Sequence, residues 1–591
     1  MEHQGGMSAS NAFELGQNFQ RINLLLQRLV VALSRRELRN PGVEGPGQSF
    51  LMKAAMTQAA SLWSNPMKAL TAQMEFWRNT ADLYAELTQA MLSGGRHSAA
   101  QPEKDARFSD EDWERHPFFY YLKRQYQIMS AYLETLAEGA EDEDDPHHSE
   151  QVHFFTRQLV DMFAPSNFLA SNPVAIRKAV ETNGASLVEG LENLVKDLER
   201  SGGDLLVTLS DPEAFRVGET LAVSNGAVVH ETDLFQLIRY DATTEKVYSR
   251  PILFIPPWIN KFYILDLQPK TSMVKWLTSQ GFTVYMVSWR NPGEEMRDWG
   301  LDTYVFDGVL SAAETVDRIS GGEGCNIVGY CIGGTTLAIA LAWIGRNPAS
   351  SPIKSATFFT ALTDFEDPGP LKVFIDESFV GGILLEAGRK GYLDQRIMAR
   401  TFSYLRPNDL VYGPAVKAYL LGEPPPKFDL LFWNEDSTRL PERMAREYLT
   451  HLYRDNDLAL DRFPLKESRI GLGDIKTPHY VVACEKDHIA PWRASFKGLA
   501  RAGGDGRFVL AQSGHIAGIV NHPDRRKYGY WVSNDTPNDL DAWKAGAEPH
   551  EGSWWPDWTR WLSRRSGRKQ AASWPETLPR IEPAPGRYVT E

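Results

Sequence analysis

The feature that most constrains the fold is a short turn near the middle of the chain, between an apolar run and a helix-forming run. Residues 325–343 read CNIVGYCIGGTTLAIALAW, and the pattern G-x-C-x-G spans Gly329 to Gly333. Glycines two residues either side of a central residue allow a tight strand-to-helix turn, because side chains there would collide with the strand and the helix. Such a turn would lift Cys331 clear of a sheet. The alternative is a chance pattern, with Cys331 as a small buried apolar residue.

The same turn would make Cys331 a nucleophile. The backbone N–H of Ile332 and the positive end of the following helix would face the sulfur, which lowers a thiol pKa and stabilises an oxyanion. Cys325 and Cys484 lie in apolar strand-like runs, and we expect them to be inert core thiols. The three cysteines show no C-x-x-C or Cys/His ligand spacing, so neither a disulfide framework nor a zinc site is expected.

The C-terminal part of the chain alternates strand and helix patterns. From Ile252 onward, a strand is predicted over residues 251–258, a helix over 273–280 and another strand over 283–289. This is the pattern of βαβ units with a mainly parallel sheet, and together with the turn it predicts an α/β-hydrolase fold. An interruption at about residues 363–448 predicts a cap insertion. Within it, Trp433 would either line access to Cys331 or pack the cap.

The N-terminal part has helical periodicity from about residue 18 to Gly203, broken by residues 94–105 and by the acidic run 138–145. We therefore predict a mainly helical domain over 1–203 and a catalytic domain over 204–591. The helices would serve either oligomerisation and partner association or simple stabilisation, because both need amphipathic faces. Three histidines follow the acidic run, and we interpret them as part of a solvated loop because their spacing matches no metal-ligand signature: His147, His148 and His153.

An α/β-hydrolase supplies its triad in the order nucleophile, acid, histidine. The run TPHYVVACEKDHIAPW predicts a strand that ends near Glu485 and Asp487, and FVLAQSGHIAG predicts one that ends just before His515. Asp487 is preferred to Glu485 because it directly precedes a turn. His515 is preferred to His522 because it follows a strand and is flanked by glycines. We interpret His488 and His522 as structural.

The three side chains have complementary tasks. A free cysteine is only a few per cent thiolate at neutral pH, and a paired imidazole raises that fraction, while Asp487 would fix the tautomer of His515. A cysteine keeps an acyl group as a thioester, which favours transfer to an alcohol over hydrolysis but does not exclude hydrolysis. Backbone donors for the oxyanion are expected at Ile332 and, in the loop after the first strand, at Ile259.

Composition and charge restrict the class of protein to which the chain can belong. The 591 residues are 42% hydrophobic and 24% charged, which is ordinary for a folded globular protein. A net charge of −13 argues against a nucleic-acid partner. The first residues lack the basic and apolar segments of a secretory signal, and the densest apolar run is too short to span a bilayer. We expect no transmembrane segment and a cytoplasmic location.

Several long motifs resemble polyhydroxyalkanoate synthases. They are GYCIGGT, EKDHIAPW, SGHIAGIVN, PPWINKFYILDL, SWRNP, DLLFWNEDSTRLP and GSWWPDW, and the likeness extends from about Phe108. The chain length and Tyr330 look like the class I enzymes. The resemblance implies an acyltransferase that polymerises (R)-3-hydroxyacyl-CoA, such as 3-hydroxybutyryl-CoA, and releases CoA through a covalent cysteine thioester.

The resemblance also implies roles for particular residues and partners. Cys331, Asp487 and His515 match the family's triad, and Arg400 resembles a basic position in its CoA channel, although a salt-bridge role is an equal alternative. No cofactor is implied, since CoA arrives with the substrate. A homodimer is implied, and so are a growing polyester chain and a granule surface as partners. The sequence departs from the family at His522, where a proline is common.

Two other functions remain open. A cysteine-dependent thioesterase or depolymerase would use the same triad. A granule-coating structural protein would retain the fold with a vestigial site.

Overall fold

The computed structural model describes residues 9–34, 66–93, 105–139, 146–347, 351–375, 377–533 and 539–591. The chain divides into two compact units. The first comprises Met1–Asp211 with Ala399–Lys427, and the second comprises Pro212–Met398 with Phe428–Glu591.

The first unit is helical, as the periodicity predicts. Apolar residues on one face of each helix pack together: Leu25 packs with Val188 and Val195, and Leu83 and Leu87 pack with Tyr120. Its longer helices are Ala9–Ser34, Pro66–Ser93, Pro117–Gly139, Pro146–Met162, Pro173–Glu181 and Ala185–Arg200. None of the described helices combines the length and apolar character needed to cross a membrane.

The prediction of a loop around the three histidines is wrong. His147, His148 and His153 all lie in the helix Pro146–Met162. Proline is favourable in the first turn of a helix, so Pro146 starts this helix rather than prolonging a linker. Most of the predicted linkers, residues 94–104 and 140–145, lie outside the described residues.

The segment Ala399–Lys427 comes from the region predicted as a cap, yet it packs in the first unit. Gly190 allows the close approach, since a Cβ there would lie 2.0 Å from the carbonyl oxygen of Tyr419. The Tyr419 hydroxyl donates to Asp197 Oδ2 at 2.6 Å, and Asn193 donates to the Ala418 carbonyl at 3.0 Å.

The second unit is built on one eleven-stranded sheet. Its strands are Gly226–Glu231 (β1), Phe235–Tyr240 (β2), Ile252–Ile255 (β4), Val284–Trp289 (β5), Cys325–Tyr330 (β6), Ile353–Phe359 (β7), His479–Cys484 (β12), Gly506–Ala511 (β13), Gly529–Val532 (β14), Glu548–Glu551 (β15) and Glu582–Pro583 (β17). Their order across the sheet is β15-β14-β13-β12-β7-β6-β4-β5-β2-β1-β17. The central strands β5, β4, β6, β7, β12 and β13 run parallel, and the flanking pairs are antiparallel. This is the predicted α/β architecture.

Helices accompany the parallel strands. The central strands β4, β6 and β12 are buried along their whole length, which is why they appear in the sequence as continuous apolar runs. The accompanying helices are Met273–Ser279, Ser311–Ile319, Ile332–Arg346, Trp492–Arg501, Leu540–Gly546 and Trp555–Ser563.

The strand–helix alternation stops after β7, as the sequence indicates. The helices that follow are Glu377–Lys390, Gln395–Tyr404, Asp429–Glu435 and Glu442–Glu447, joined by the two-residue strands Tyr392–Leu393 (β8) and Leu440–Pro441 (β9). The small antiparallel pairs β10–β11, Phe463–Leu465 with Ser468–Ile470, and β3–β16, Lys246–Tyr248 with Lys569–Ala571, complete the unit.

Candidate active site

Cys331 occupies a strained turn between β6 and the helix Ile332–Arg346. Its φ and ψ are 52° and −127°, a conformation that non-glycine residues rarely adopt. A Cβ on Gly333 would lie 2.4 Å from the carbonyl oxygen of Ile255, and one on Gly329 would lie 2.5 Å from Gly334 Cα. The glycines are therefore required by the close packing of strand and helix, as the G-x-C-x-G pattern predicts.

The three cysteines have different surroundings. Cys325 and Cys484 are completely buried, and burial raises the pKa of Cys325 to about 12 and that of Cys484 well above its ordinary value. Cys331 is only partly buried. The structure therefore agrees with the assignment of Cys325 and Cys484 as core thiols and leaves Cys331 accessible to a substrate.

Asp487 is held by hydrogen bonds on both carboxylate oxygens. Its Oδ1 accepts the backbone N–H groups of Ile489 and Ala490 at 2.8 and 2.9 Å, and its Oδ2 lies 2.7 Å from His515 Nδ1. The alternative acid, Glu485, is exposed. The turn after β12 therefore selects Asp487 as the partner of the histidine.

His515 lies between this carboxylate and the cysteine. Burial alone lowers the pKa of His515, but the negative charges of Asp487 and Cys331 and hydrogen bonds to both side chains raise it by more, so that the pKa lies well above its ordinary value. The imidazole is 7% exposed. The three side chains predicted as a triad are thus brought together around His515.

Two tryptophans fix the loop that carries His515. Trp554 and Trp555 donate their indole N–H groups to the carbonyls of Gly518 and Ile519, each at 2.8 Å. Both tryptophans belong to the GSWWPDW motif, which lies near the C-terminal end of the chain. This motif therefore stabilises the loop that carries His515.

His522 packs rather than reaching the cysteine. Its ring makes edge contacts with Trp276 and Trp555, at centroid distances of 5.8 and 5.4 Å, and its Nδ1 accepts the Asp524 N–H at 3.2 Å. Partial burial lowers the pKa of His522. These contacts fit the structural role expected for it, while the neighbour of Asp487, His488, is partly buried.

The expected oxyanion donors lie at well-anchored backbone positions. Ile332 is the first residue of its helix, where an N–H has no partner inside the helix. The loop with Ile259 is held on both sides, because Trp258 donates to Thr336 at 3.0 Å and the Ile259 carbonyl accepts the Thr438 N–H at 3.2 Å. Their role as donors stays a prediction.

Arg400 and Trp433, the candidates for a CoA channel and for the access to Cys331, each contact another part of the protein. Arg400 lies in the segment that packs in the first unit and is 3.5 Å from Asp204, so an ion pair accounts for its charge. Trp433 is 4% exposed and donates its indole N–H to the Lys261 carbonyl at 2.7 Å. These contacts fit a salt bridge for Arg400 and a packing role for Trp433.

No motif in the sequence indicates a pair of tyrosines that the structure brings toward Cys331. The hydroxyls of Tyr448 and Tyr453 are 3.4 Å apart, and besides burial the charge of Cys331 contributes to raising the pKa of each phenol. Both residues lie in the irregular helical turn Tyr448–Arg454, which carries no local motif. Only the three-dimensional fold brings them toward the cysteine.

One cluster among the described residues has the geometry of a cation site. The ligand atoms of His451, Asp455 and Asp457 lie within 4.8 Å of one another. However, Arg454 pairs with Asp455 at 2.9 Å and Arg462 pairs with Asp457 at 2.6 Å. These arginines supply the positive charge that a metal would bring, so we assign no metal there.

Comparison with known proteins finds matches along nearly the whole chain. The model for the poly-beta-hydroxybutyrate polymerase (PhaC) N-terminus matches residues 104–277, and the model for the alpha/beta hydrolase fold matches residues 250–521. The poly(3-hydroxyalkanoate) polymerase of Methylorubrum extorquens is 40% identical, covering 93% of this chain and 92% of that protein. The polymerase subunit PhaC of Cupriavidus necator is 41% identical, with 86% of each chain covered. By this likeness over nearly its whole length, the chain belongs to the poly(3-hydroxyalkanoate) polymerase family.

Proposed function

We propose that the protein polymerises (R)-3-hydroxyacyl-CoA, with short acyl groups such as 3-hydroxybutyryl, into a polyester and releases CoA. The observation that carries this proposal is the contact of His515 with both Cys331 and Asp487, with Asp487 Oδ2 lying 2.7 Å from His515 Nδ1. The family relationship supports the polymer as product.

The first step is loading of the cysteine. The Cys331 thiolate, paired with the His515 imidazolium, attacks the thioester carbonyl, and the oxyanion is stabilised by the backbone N–H groups of Ile332 and Ile259. The new C–S bond to Cys331 forms as the C–S bond to CoA breaks. The CoA sulfur leaves with the proton from His515, and the acyl group is retained as a thioester.

The second step forms the ester. His515, now neutral and oriented by Asp487, takes the proton from the 3-hydroxyl of another hydroxyacyl thioester. The alkoxide oxygen attacks the acyl carbonyl on Cys331, the ester C–O bond forms and the C–S bond breaks. The lengthened thioester then reacylates Cys331, and repetition of the cycle extends the chain.

The proposal also covers the location of the protein, its oligomeric state and its preferred acyl length. We place the protein in the cytoplasm at the surface of polyester granules, acting as a homodimer and without a cofactor. Tyr448 and Tyr453 are buried close enough to Cys331 for its charge to contribute to raising the pKa of each phenol. We propose that these two rings line the acyl site and so favour short acyl groups.

Substitution of the nucleophile tests the function. With (R)-3-hydroxybutyryl-CoA, the wild-type protein should release CoA and form insoluble polymer, while Cys331→Ala should lose both by at least about 10³-fold, since no covalent intermediate can form. Cys331→Ser is the matched control. It keeps the size of the side chain, so a loss of activity in this variant reflects the poorer nucleophile and not a change of shape.

The products separate the competing functions. Free 3-hydroxybutyrate in place of polymer would show a thioesterase. CoA release and polymer formation that survive in Cys331→Ala would show that the nucleophile lies elsewhere.

A further inference from the structure

Tyr330, the last residue of β6, packs directly against the histidine. Its ring stacks on the His515 imidazole with the two planes 23° apart and the centroids 5.8 Å apart. Its hydroxyl lies 3.5 Å from the His515 carbonyl oxygen. The side chain is 1% exposed, so water does not compete for the contact.

The face of an aromatic ring attracts a cation, and the attraction is strongest where the pair is desolvated. His515 becomes a cation in the proposed reaction each time it holds the Cys331 proton. The groups that act on His515 include the carboxylate of Asp487, the side chain of Cys331 and this ring. Burial raises the pKa of the Tyr330 phenol well above its ordinary value, and the charges of Cys331, Asp487 and Cys484 raise it further.

We propose that Tyr330 is a positioning residue for His515: its ring fixes the plane of the imidazole toward Cys331 and favours the protonated form. The proposal rests on the proposed function, because it assigns Tyr330 to the same thiol–imidazole pair. Tyr330 is also well placed for this role, because it is the last residue of β6 and directly precedes Cys331.

The ring rather than the hydroxyl should carry the effect. A separation of 3.5 Å is at the outer limit for an O–H···O hydrogen bond, whose usual length is about 2.8 Å. Phenylalanine keeps the stacked ring and loses only this long contact. Leucine removes the aromatic face while it retains an apolar side chain in the core.

The test measures the ionisation of Cys331 directly. The rate of alkylation by iodoacetamide is followed against pH in the wild type, Tyr330→Phe and Tyr330→Leu. The other two cysteines are completely buried, so Cys331 dominates the reaction of the folded protein. Leucine should move the midpoint upward by about 0.5–1 pH unit, because a less stable imidazolium supports less thiolate, and phenylalanine should leave it within about 0.2 unit.

Turnover provides the second readout. CoA release should fall about tenfold in kcat with little change in KM for Tyr330→Leu, and less than about twofold for Tyr330→Phe. If Tyr330→Leu does not fold, Tyr330→Met takes its place, since methionine fills the space without an aromatic face.

A non-aromatic variant whose alkylation midpoint equals that of the wild type would overturn the proposal. So would a Phe variant as impaired as the Leu variant. These outcomes differ from failure of the proposed function, in which the wild-type protein itself forms no polymer whatever its alkylation profile.

Discussion

At the scale of single residues, the site depends on a backbone conformation that is costly by itself. The positive φ of Cys331 costs about 1–3 kcal/mol in a residue with a side chain. The strain persists because neighbouring elements hold both sides of the residue: its N–H donates to the Phe359 carbonyl at 2.9 Å, and its carbonyl accepts the Gly334 N–H at 2.9 Å. The backbone of Cys331 is therefore held in this conformation from both sides.

The charge of Asp487 should control the proton on His515. Asp487→Asn keeps the shape of the side chain but removes the charge that raises the His515 pKa. The imidazolium then loses its proton at lower pH, and less Cys331 thiolate forms near neutrality. We expect CoA release to fall about 10²–10⁴-fold, measured as kcat with (R)-3-hydroxybutyryl-CoA across pH 6–9.

The matched control for this substitution is Glu485→Gln. Glu485 lies two residues away but is exposed, so its charge should not affect the rate. Equal losses in the two variants would contradict the assignment of Asp487.

At the scale of secondary-structure elements, the site is the junction of β6 with the helix Ile332–Arg346. That junction could be predicted from the sequence because its determinants are local: glycines at fixed spacing, an apolar strand before them and a helical run after them. The strand ends before Asp487 and His515 were predictable for the same reason. By contrast, Tyr448 and Tyr453 come close to Cys331 only through tertiary packing, which leaves no periodic signal.

The close contact of this helix with the loop after β4 should make Gly333 intolerant of substitution. A Cβ there would meet two backbone oxygens, those of Ile255 and Pro256, at 2.4 and 2.5 Å. Backbone cannot move aside cheaply, so Gly333→Ala should lower the free energy of unfolding by about 1–3 kcal/mol and reduce CoA release. Thermal unfolding and the CoA assay measure the two effects.

Gly388→Ala is the control within another helix, Glu377–Lys390, because a Cβ on Gly388 meets nothing within 4 Å. It should be neutral or stabilise by up to about 1 kcal/mol. A Gly333→Ala variant as stable and active as this control would refute the steric account.

At the scale of the whole molecule, the chain returns to its first unit after entering the second. Ala399–Lys427 joins the N-terminal helices although it follows β7 in sequence. The hydrogen-bonded partners of this segment in the helix Ala185–Arg200 are 222 and 225 residues away, and the backbones also approach closely at Gly190 and Gly422, so no local change of composition marks the segment. For Arg400, which lies in this segment, the family resemblance leaves a CoA-channel position and a salt bridge as equal alternatives, and its visible partner is Asp204.

The return segment should stabilise the helix Ala185–Arg200. Tyr419→Phe removes the hydrogen bond to the buried carboxylate of Asp197, and a bond to a charged group contributes about 1.5–3 kcal/mol. Amide hydrogen exchange should become faster in this helix and stay unchanged in β6. The control is Tyr528→Phe at a side chain that is 44% exposed. Unchanged exchange in the helix would argue against this packing.

Identification of the acylated residue tests the central claim most directly. The protein is mixed with less than one equivalent of (R)-3-hydroxybutyryl-CoA, quenched in acid, digested and analysed by mass spectrometry. A hydroxybutyryl group, or a short oligomer of it, should be found in thioester linkage on Cys331 and be absent from Cys331→Ala. An acyl group on another residue, or polymer formed without any acylated Cys331, would contradict the account.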